Sequence, residues 1–135
     1  MFLLDSNAWI ALFRGQSDSL LSELKRRPAT DIVLCSVVLT ELQYRVCRST
    51  PAHRAANQEM VDELRTTYGS VPFDDTAAVD AAERRAHLAT VGQSTGPYDL
   101  LIAAIARTHG LTLVTHNTSE FSRVPGLTLA DWQTP

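Results

Sequence analysis

The sequence predicts one α/β domain over residues 1–135, a three-layer α/β/α arrangement with a parallel sheet of about five short strands. Two observations lead to this prediction. Short apolar runs alternate along the chain with amphipathic helical patterns, as in successive βαβ units. The runs are continuous rather than alternating with polar residues, which is typical of strands covered by helices on both faces.

The first half of the chain supplies two of these strands. "FLLD" is a buried strand that ends at Asp5, and "SNAWIALFR" is a brief helix with Ser6 or Asn7 available as its N-cap. "DIVLC" is the second strand and leads directly into the helical pattern "SVVLTELQYRVCR". Between these two strands, a further helical pattern places three leucines on one face of a helix: Leu20, Leu21 and Leu24.

The second half continues the alternation. Pro51 opens a helix that Gly69 is expected to close, and "SVPF" follows as the third strand. An Ala-rich helix ends at Gly92, and the next helix runs from Pro97 to Gly110. "LTLVTH" and "LTLAD" are predicted as the fourth and fifth strands.

Composition restricts the class of protein. Apolar residues make up 44% of the chain and charged residues 20%, as in globular domains, and no apolar run approaches the roughly 20 residues of a membrane span. The first residues lack the pattern of a signal peptide, and only Cys35 and Cys47 are present, so we expect a cytoplasmic protein with reduced thiols. The net charge of −3 argues against binding nucleic acid by bulk charge alone.

Polar residues from four segments are predicted to meet at one edge of the sheet, beyond the carboxyl ends of the strands. Asp5 ends the first strand, and Glu41 lies in the opening turns of the helix after the second. Asp99 lies at the start of a helix that ends just before the fourth strand begins. The helix therefore ends near the amino edge of the sheet, and its start, with Asp99, lies at the carboxyl edge. Asn117 and Glu120 follow the fourth strand.

Each residue alone has an ordinary structural interpretation. Asp5 could cap the next helix, Glu41 could pair with Arg45, and Asp99 could complement a helix dipole. Asn117 could belong to a turn, with Glu120 as part of it. Four such coincidences at one edge are less probable than one site, and clustered acids need protons or a cation. An all-oxygen cluster suits Mg²⁺ or Mn²⁺.

The segments "LLDSNAWI", "TELQYR", "GPYDLLIAAIA", "LVTHNTSEF" and "VPGLTLADW" together resemble the PIN-domain ribonucleases of the VapC toxin type. The resemblance covers nearly the whole chain, in order. It implies a Mg²⁺- or Mn²⁺-dependent endoribonuclease toxin of a type II toxin–antitoxin pair. Its expected partners are a VapB-type antitoxin, an RNA substrate such as tRNA or rRNA, and a second copy in a homodimer.

By position, the resemblance implies that Asp5, Glu41 and Asp99 are the family's acids, with Asp5 and Asp99 as the main metal ligands and Glu41 beside them. Asn117 matches a fourth position that is Asp in many PIN domains, and Glu120 supplies part of the missing charge. Five arginines are candidates for binding flanking phosphates: Arg26, Arg27, Arg45, Arg48 and Arg54.

Three alternatives remain open from the sequence. They are a PIN nuclease in RNA processing, one acting on structured DNA, and an inactive relative that only binds antitoxin. A phosphorylated receiver domain is disfavoured, because no Lys follows Lys25. The leucine face at Leu20, with the neighbouring helix around Met60 and Leu64, is a candidate antitoxin groove, with burial in the core as the competing interpretation.

Overall fold

Five parallel strands form the central sheet, in the order β3-β2-β1-β4-β5, in a computed structural model that describes residues 1–135. Leu3 of β1 lies opposite Val33 of β2 and Leu113 of β4, which fixes the register at the centre of the sheet. The strands are β1 (Phe2–Leu4), β2 (Ile32–Cys35), β3 (Gly69–Val71), β4 (Thr112–Val114) and β5 (Leu129–Ala130). The predicted parallel sheet of five strands is confirmed.

Seven helices connect the strands. They are α1 (Ser6–Phe13), α2 (Asp18–Lys25), α3 (Ser36–Arg48), α4 (Pro51–Thr67), α5 (Asp75–Thr90), α6 (Pro97–Thr108) and α7 (Thr118–Phe121). The strand order runs outward from β1 to β3 and then returns to β4 on the other side of β1. Because parallel crossovers are right-handed, α1–α4 cover one face and α5–α7 the other. The segments that follow the neighbouring strands β1 and β4 therefore lie on opposite faces of the sheet. Parallel sheets bind ligands at the carboxyl edge between two such strands.

Helix α6 contains more buried residues than any other helix. Pro97 occupies its first turn, and Gly110, with φ of +63°, follows its end. Its segment from Ile102 to Ala106 is fully buried. The small alanines let the helix lie close to the sheet, so the position of its first turn is firmly determined by core packing.

Two local predictions were wrong, and one short helix was missed. The N-cap of α1 is Asp5 rather than Ser6 or Asn7, because its carboxylate accepts a hydrogen bond from the amide of Ala8. Gly69 does not close α4; it begins β3 with an ordinary backbone conformation, and Tyr68 caps the helix. The short helix α7 was not predicted, because four residues are too few for a periodic signal.

The proposed leucine groove is also corrected. Leu20 is fully buried and Leu64 is 8% exposed, so both belong to the core. Leu24 packs partly against the same core, and only Leu21, at 40% exposure, faces solvent. The predicted apolar face exists, but it packs within the molecule.

No helix is both long and apolar enough to cross a membrane.

Candidate active site

Asp5 lies directly after β1 and is the most deeply buried acid at the carboxyl edge of the sheet, with 4% exposure. Its Oδ1 accepts a hydrogen bond from the Ala8 amide at 2.8 Å, and its Oδ2 accepts one from the Thr115 hydroxyl at 2.6 Å. Burial raises the pKa of Asp5, and the nearby charge of Glu41 adds to the increase. Asp5 therefore caps α1 and also lies at the edge where the site is predicted, and its role in that site stays a prediction.

Thr115 is a site residue that the sequence prediction missed. It follows β4 and is 1% exposed. Its Oγ1 donates to Asp5 and accepts a hydrogen bond from the Asn117 amide at 3.0 Å. The rule that located Asp5 applies equally to Thr115, because both residues end adjacent parallel strands. Thr115 fixes the orientation of the Asp5 carboxylate.

Asp99 occupies the first turn of α6 and is half-buried. A helix N-terminus ordinarily favours a negative charge. Here burial, with the charges of Glu120, Glu41 and Asp5, raises the pKa of Asp99 to about 6. No hydrogen bond or ion pair lowers it. Asp99 is thus a carboxylate for which the protein itself supplies no counter-charge.

Glu41 projects from α3 toward the same acids. Its Oε1 is buried without a hydrogen-bond partner, and the side chain forms no ion pair with Arg45. A buried carboxylate oxygen without a partner is costly unless something else supplies one. The surface salt-bridge interpretation of Glu41 is therefore wrong.

Asn117 and Glu120 have a different arrangement. The Asn117 amide nitrogen Nδ2 donates to Glu120 Oε2 at 2.7 Å, and the Gly96 backbone amide donates to Glu120 Oε1 at 2.7 Å. These two hydrogen bonds lower the pKa of Glu120. Because Gly96 immediately precedes α6, Glu120 holds the start of the helix that carries Asp99. Asn117 is the N-cap residue of α7, but its side chain makes no cap hydrogen bond.

The donor set fits a hard divalent cation. Asp5, Glu41 and Asp99 come from three elements, act electrostatically on one another and offer only oxygen atoms. Two of them, Glu41 and Asp99, have carboxylate oxygens that the protein leaves without partners. The side chains do not stand as a closed cage of three or more ligating groups.

A cleft of about 580 Å³ opens beside the acids, between α1, α3 and the start of α6. Of the five arginines predicted to bind phosphate, Arg45 and Arg48 line it. Arg26 and Arg27 pair instead with Glu23 at 2.9 and 2.6 Å. The cleft is lined by Ser6, Asn7, Ile10, Thr40, Glu41, Tyr44, Arg45, Arg48 and Tyr98.

His116 is exposed at the same edge, and its Nδ1 lies 3.0 Å from Asp131 Oδ2. Arg54, the fifth arginine, donates to the Ser49 carbonyl at 3.1 Å. The site therefore consists of an acidic pocket at the β1/β4 switch point and an arginine-lined cleft that leads into it.

Comparison with known proteins identifies this arrangement. The PIN domain family model matches residues 2–127, which includes every acid of the site. The chain is 34% identical over 131 residues to the tRNA(fMet)-specific endonuclease VapC of Shigella flexneri and 31% identical to that of Salmonella typhimurium, with 97% of each chain covered in both comparisons. The chain belongs to the VapC ribonucleases of the PIN-domain family.

The fold agrees with this assignment to the VapC ribonucleases. VapBC2 from Rickettsia felis, solved bound to a DNA fragment from its promoter, superposes with a TM-score of 0.87 at 33% identity, covering 97% of this chain and 98% of that one. The family resemblance predicted from the sequence is confirmed. This VapC-family chain is a ribonuclease with the single PIN domain expected.

Proposed function

We propose that this chain is a Mg²⁺- or Mn²⁺-dependent endoribonuclease that acts as the toxin of a type II toxin–antitoxin pair. Cutting tRNA or rRNA would inhibit translation, and relatives that match over their whole length carry the name tRNA(fMet)-specific endonuclease. The observation that carries the proposal is Asp99, a half-buried carboxylate surrounded by other acids and without a cationic partner. A cation bound among these acids would offset the repulsion between their charges and the phosphates of RNA.

The chemistry assigns separate roles to the acids. Asp5 and Asp99 would hold the ion, with Glu41 beside them. A divalent ion there would lower the pKa of bound water and stabilise charge on the scissile phosphate. Glu41 would orient or deprotonate the attacking water, and Thr115 keeps Asp5 in position. Asn117 and Glu120 support the Asp99 helix through Gly96.

The comparisons also support a protein partner. The similar structures from Rickettsia felis and Salmonella typhimurium are VapBC complexes bound to DNA. We therefore propose a VapB-type antitoxin as the partner of this chain, a homodimer as its assembly and the cytoplasm as its location. Copurification with the product of a short neighbouring reading frame would test the partner, and sedimentation of the isolated chain would test the dimer.

Purified protein incubated with total RNA and with tRNA tests the activity directly. We expect cleavage with Mg²⁺ or Mn²⁺, none with chelator, and none by Asp5→Asn under any condition. Asn keeps the oxygen that accepts from Ala8, so the α1 cap survives in this variant. Cleavage that persists in Asp5→Asn would come from a contaminating nuclease, and absence of cleavage by the parent would refute the proposal.

A further inference from the structure

Two tyrosines at the mouth of the cleft have exposed rings that the core does not use. Tyr44 is 59% exposed and Tyr98 is 52% exposed. The third tyrosine, Tyr68, is partly buried and packs on Trp9, with ring centroids 5.3 Å apart. Only the cleft tyrosines therefore offer aromatic faces to a ligand.

Each exposed ring adjoins an acid of the site. Tyr44 lies three residues after Glu41, and therefore on the same face of α3. Tyr98 directly precedes Asp99 in the first turn of α6. Both line the cleft of about 580 Å³, a size within the range of about 300–1,000 Å³ that small-ligand pockets usually have. A ligand group that stacks on either ring in the cleft would lie beside Glu41, which also lines it.

The cationic groups of the cleft complement the aromatic ones. The Arg48 guanidinium carbon lies 5.4 Å from the centre of the Tyr44 ring, in cation–π range. Arg45 lies four residues after Glu41 on the same helix, and neither arginine forms an ion pair. Aromatic faces beside unpaired guanidinium groups are the combination with which proteins bind single-stranded nucleic acid.

We infer that Tyr44 and Tyr98 form a subsite that stacks an unpaired nucleobase next to the scissile phosphate, while Arg45 and Arg48 bind the adjoining phosphates. The inference rests on the proposed ribonuclease function and deepens it by naming the residues that contact the substrate beside the cut. In a duplex the faces of each base are covered by neighbouring bases, so only an unpaired base can stack on the tyrosines. The tyrosines thus hold a base of the substrate, and the acids cut the adjoining phosphodiester bond.

Binding can be measured apart from cleavage in the Asp5→Asn background with Mg²⁺, which leaves the RNA intact. The probe is a short unpaired oligoribonucleotide that carries one 2-aminopurine, whose fluorescence is quenched by stacking. Tyr44→Ala and Tyr98→Ala should each weaken binding by about tenfold, a usual size for one base–aromatic stack, and reduce the quenching. Tyr44→Phe and Tyr98→Phe keep the ring and should bind as the background does.

Matched controls exclude general effects. Val79 is 60% exposed on α5 and lies outside the cleft, so Val79→Ala should leave binding unchanged. Lys25→Ala removes an exposed charge outside the cleft and should leave binding unchanged. Arg48→Ala should lower the affinity for RNA and reduce its dependence on salt concentration. All four tyrosine variants alter exposed side chains, and unchanged thermal unfolding would verify that they are folded.

The outcomes separate the subsite from the function. If the parent cuts RNA but both alanine variants bind and quench like the background, the subsite is refuted and the ribonuclease proposal stands. Equal affinity of the Asp5→Asn protein for the unpaired strand and its duplex would likewise refute stacking on the tyrosines, because a duplex covers the faces of its bases. If the parent cuts no RNA under any metal condition, the proposed function itself fails.

Discussion

The two ends of helix α6 carry opposite electrostatic arrangements. At the amino end, Asp99 is half-buried among other acids and has no partner. At the carboxyl end, Arg107 lies 3.1 Å from Asp80 of α5 and donates to the Pro125 carbonyl. Asp80 is 13% exposed at its side chain, so both ends bury an acid, but only one end supplies its counter-charge.

This difference indicates what each acid does. A buried acid with a cationic partner stabilises the packing of two helices. A buried acid without one costs free energy, and the fold retains it because core packing fixes the first turn of α6. The completed pair at Asp80 stabilises the packing of α5 against α6, whereas the unbalanced cluster at Asp99 is where we propose that a cation binds. Matched substitutions at the two positions test this distinction.

Cleavage of RNA should separate the two positions by the largest margin. Asp99→Asn is expected to lower the cleavage rate by about 100-fold or more, the size of effect seen when an electrostatic group is lost from an active site. Asp80→Asn should cleave at the parental rate, because Asp80 lies at the far end of the helix. Both rates are measured on the same tRNA preparation with saturating Mg²⁺. A fully active Asp99→Asn would contradict the assignment.

The free energy of unfolding should show the reverse order, with a larger loss in Asp80→Asn than in Asp99→Asn. Asp80→Asn leaves the Arg107 guanidinium, 21% exposed at its side chain, without its anionic partner. We expect the free energy of unfolding to fall by about 1–3 kcal/mol, the usual effect of removing one side of a buried polar pair. Urea denaturation followed by circular dichroism gives this value. An unchanged midpoint would show that the pair contributes nothing to the fold.

The pH dependence of stability provides a smaller and more specific effect. The pKa of Asp99 is raised to about 6 in the folded chain, above its unfolded value of about 4, so the folded state binds the proton more tightly. The stability this gives is complete below about pH 4 and is lost as pH rises through about 6. With chelator present, the parent should therefore lose about 1–2 kcal/mol relative to Asp99→Asn between these limits.

Denaturant titrations of both proteins at a series of pH values measure that difference. Subtracting the Asp99→Asn curve isolates Asp99 together with its electrostatic coupling to the neighbouring acids. Val79→Ala changes no titratable group, so it serves as the control and should show the parental pH dependence. A difference between parent and Asp99→Asn that does not vary with pH would show that Asp99 is not perturbed in the folded chain.

The convergence of the acids was predictable because it depends on topology. Asp5 ends a strand, and the chain direction of α3 and α6 brings Glu41 and Asp99 to the same edge. Thr115 was open to the same reasoning but was missed, because a hydroxyl after a strand resembles another strand residue. The Glu120–Gly96 hydrogen bond joins residues 24 positions apart, and no local pattern encodes such a contact.

Other errors arose where one sequence pattern fits two structures. An amphipathic leucine face gives the same period whether it packs in the core, as at Leu20, or forms an external groove. Arg26 and Arg27 follow Glu23 by three and four residues, which favours ion pairs within the helix. Arg45 follows Glu41 by four residues without forming an ion pair, so this spacing alone could not have distinguished Arg26 and Arg27 from the arginines of the cleft.

Metal binding tests the central claim most directly. Chelator-treated parent, Asp80→Asn and Asp99→Asn are titrated with Mn²⁺ in a calorimeter under identical conditions. We predict saturable binding to the parent and to Asp80→Asn, and affinity weaker by at least about tenfold in Asp99→Asn. No uptake of the ion by the parent, or equal affinity in all three proteins, would contradict the assignment of Asp99 as the acid that a divalent cation neutralises.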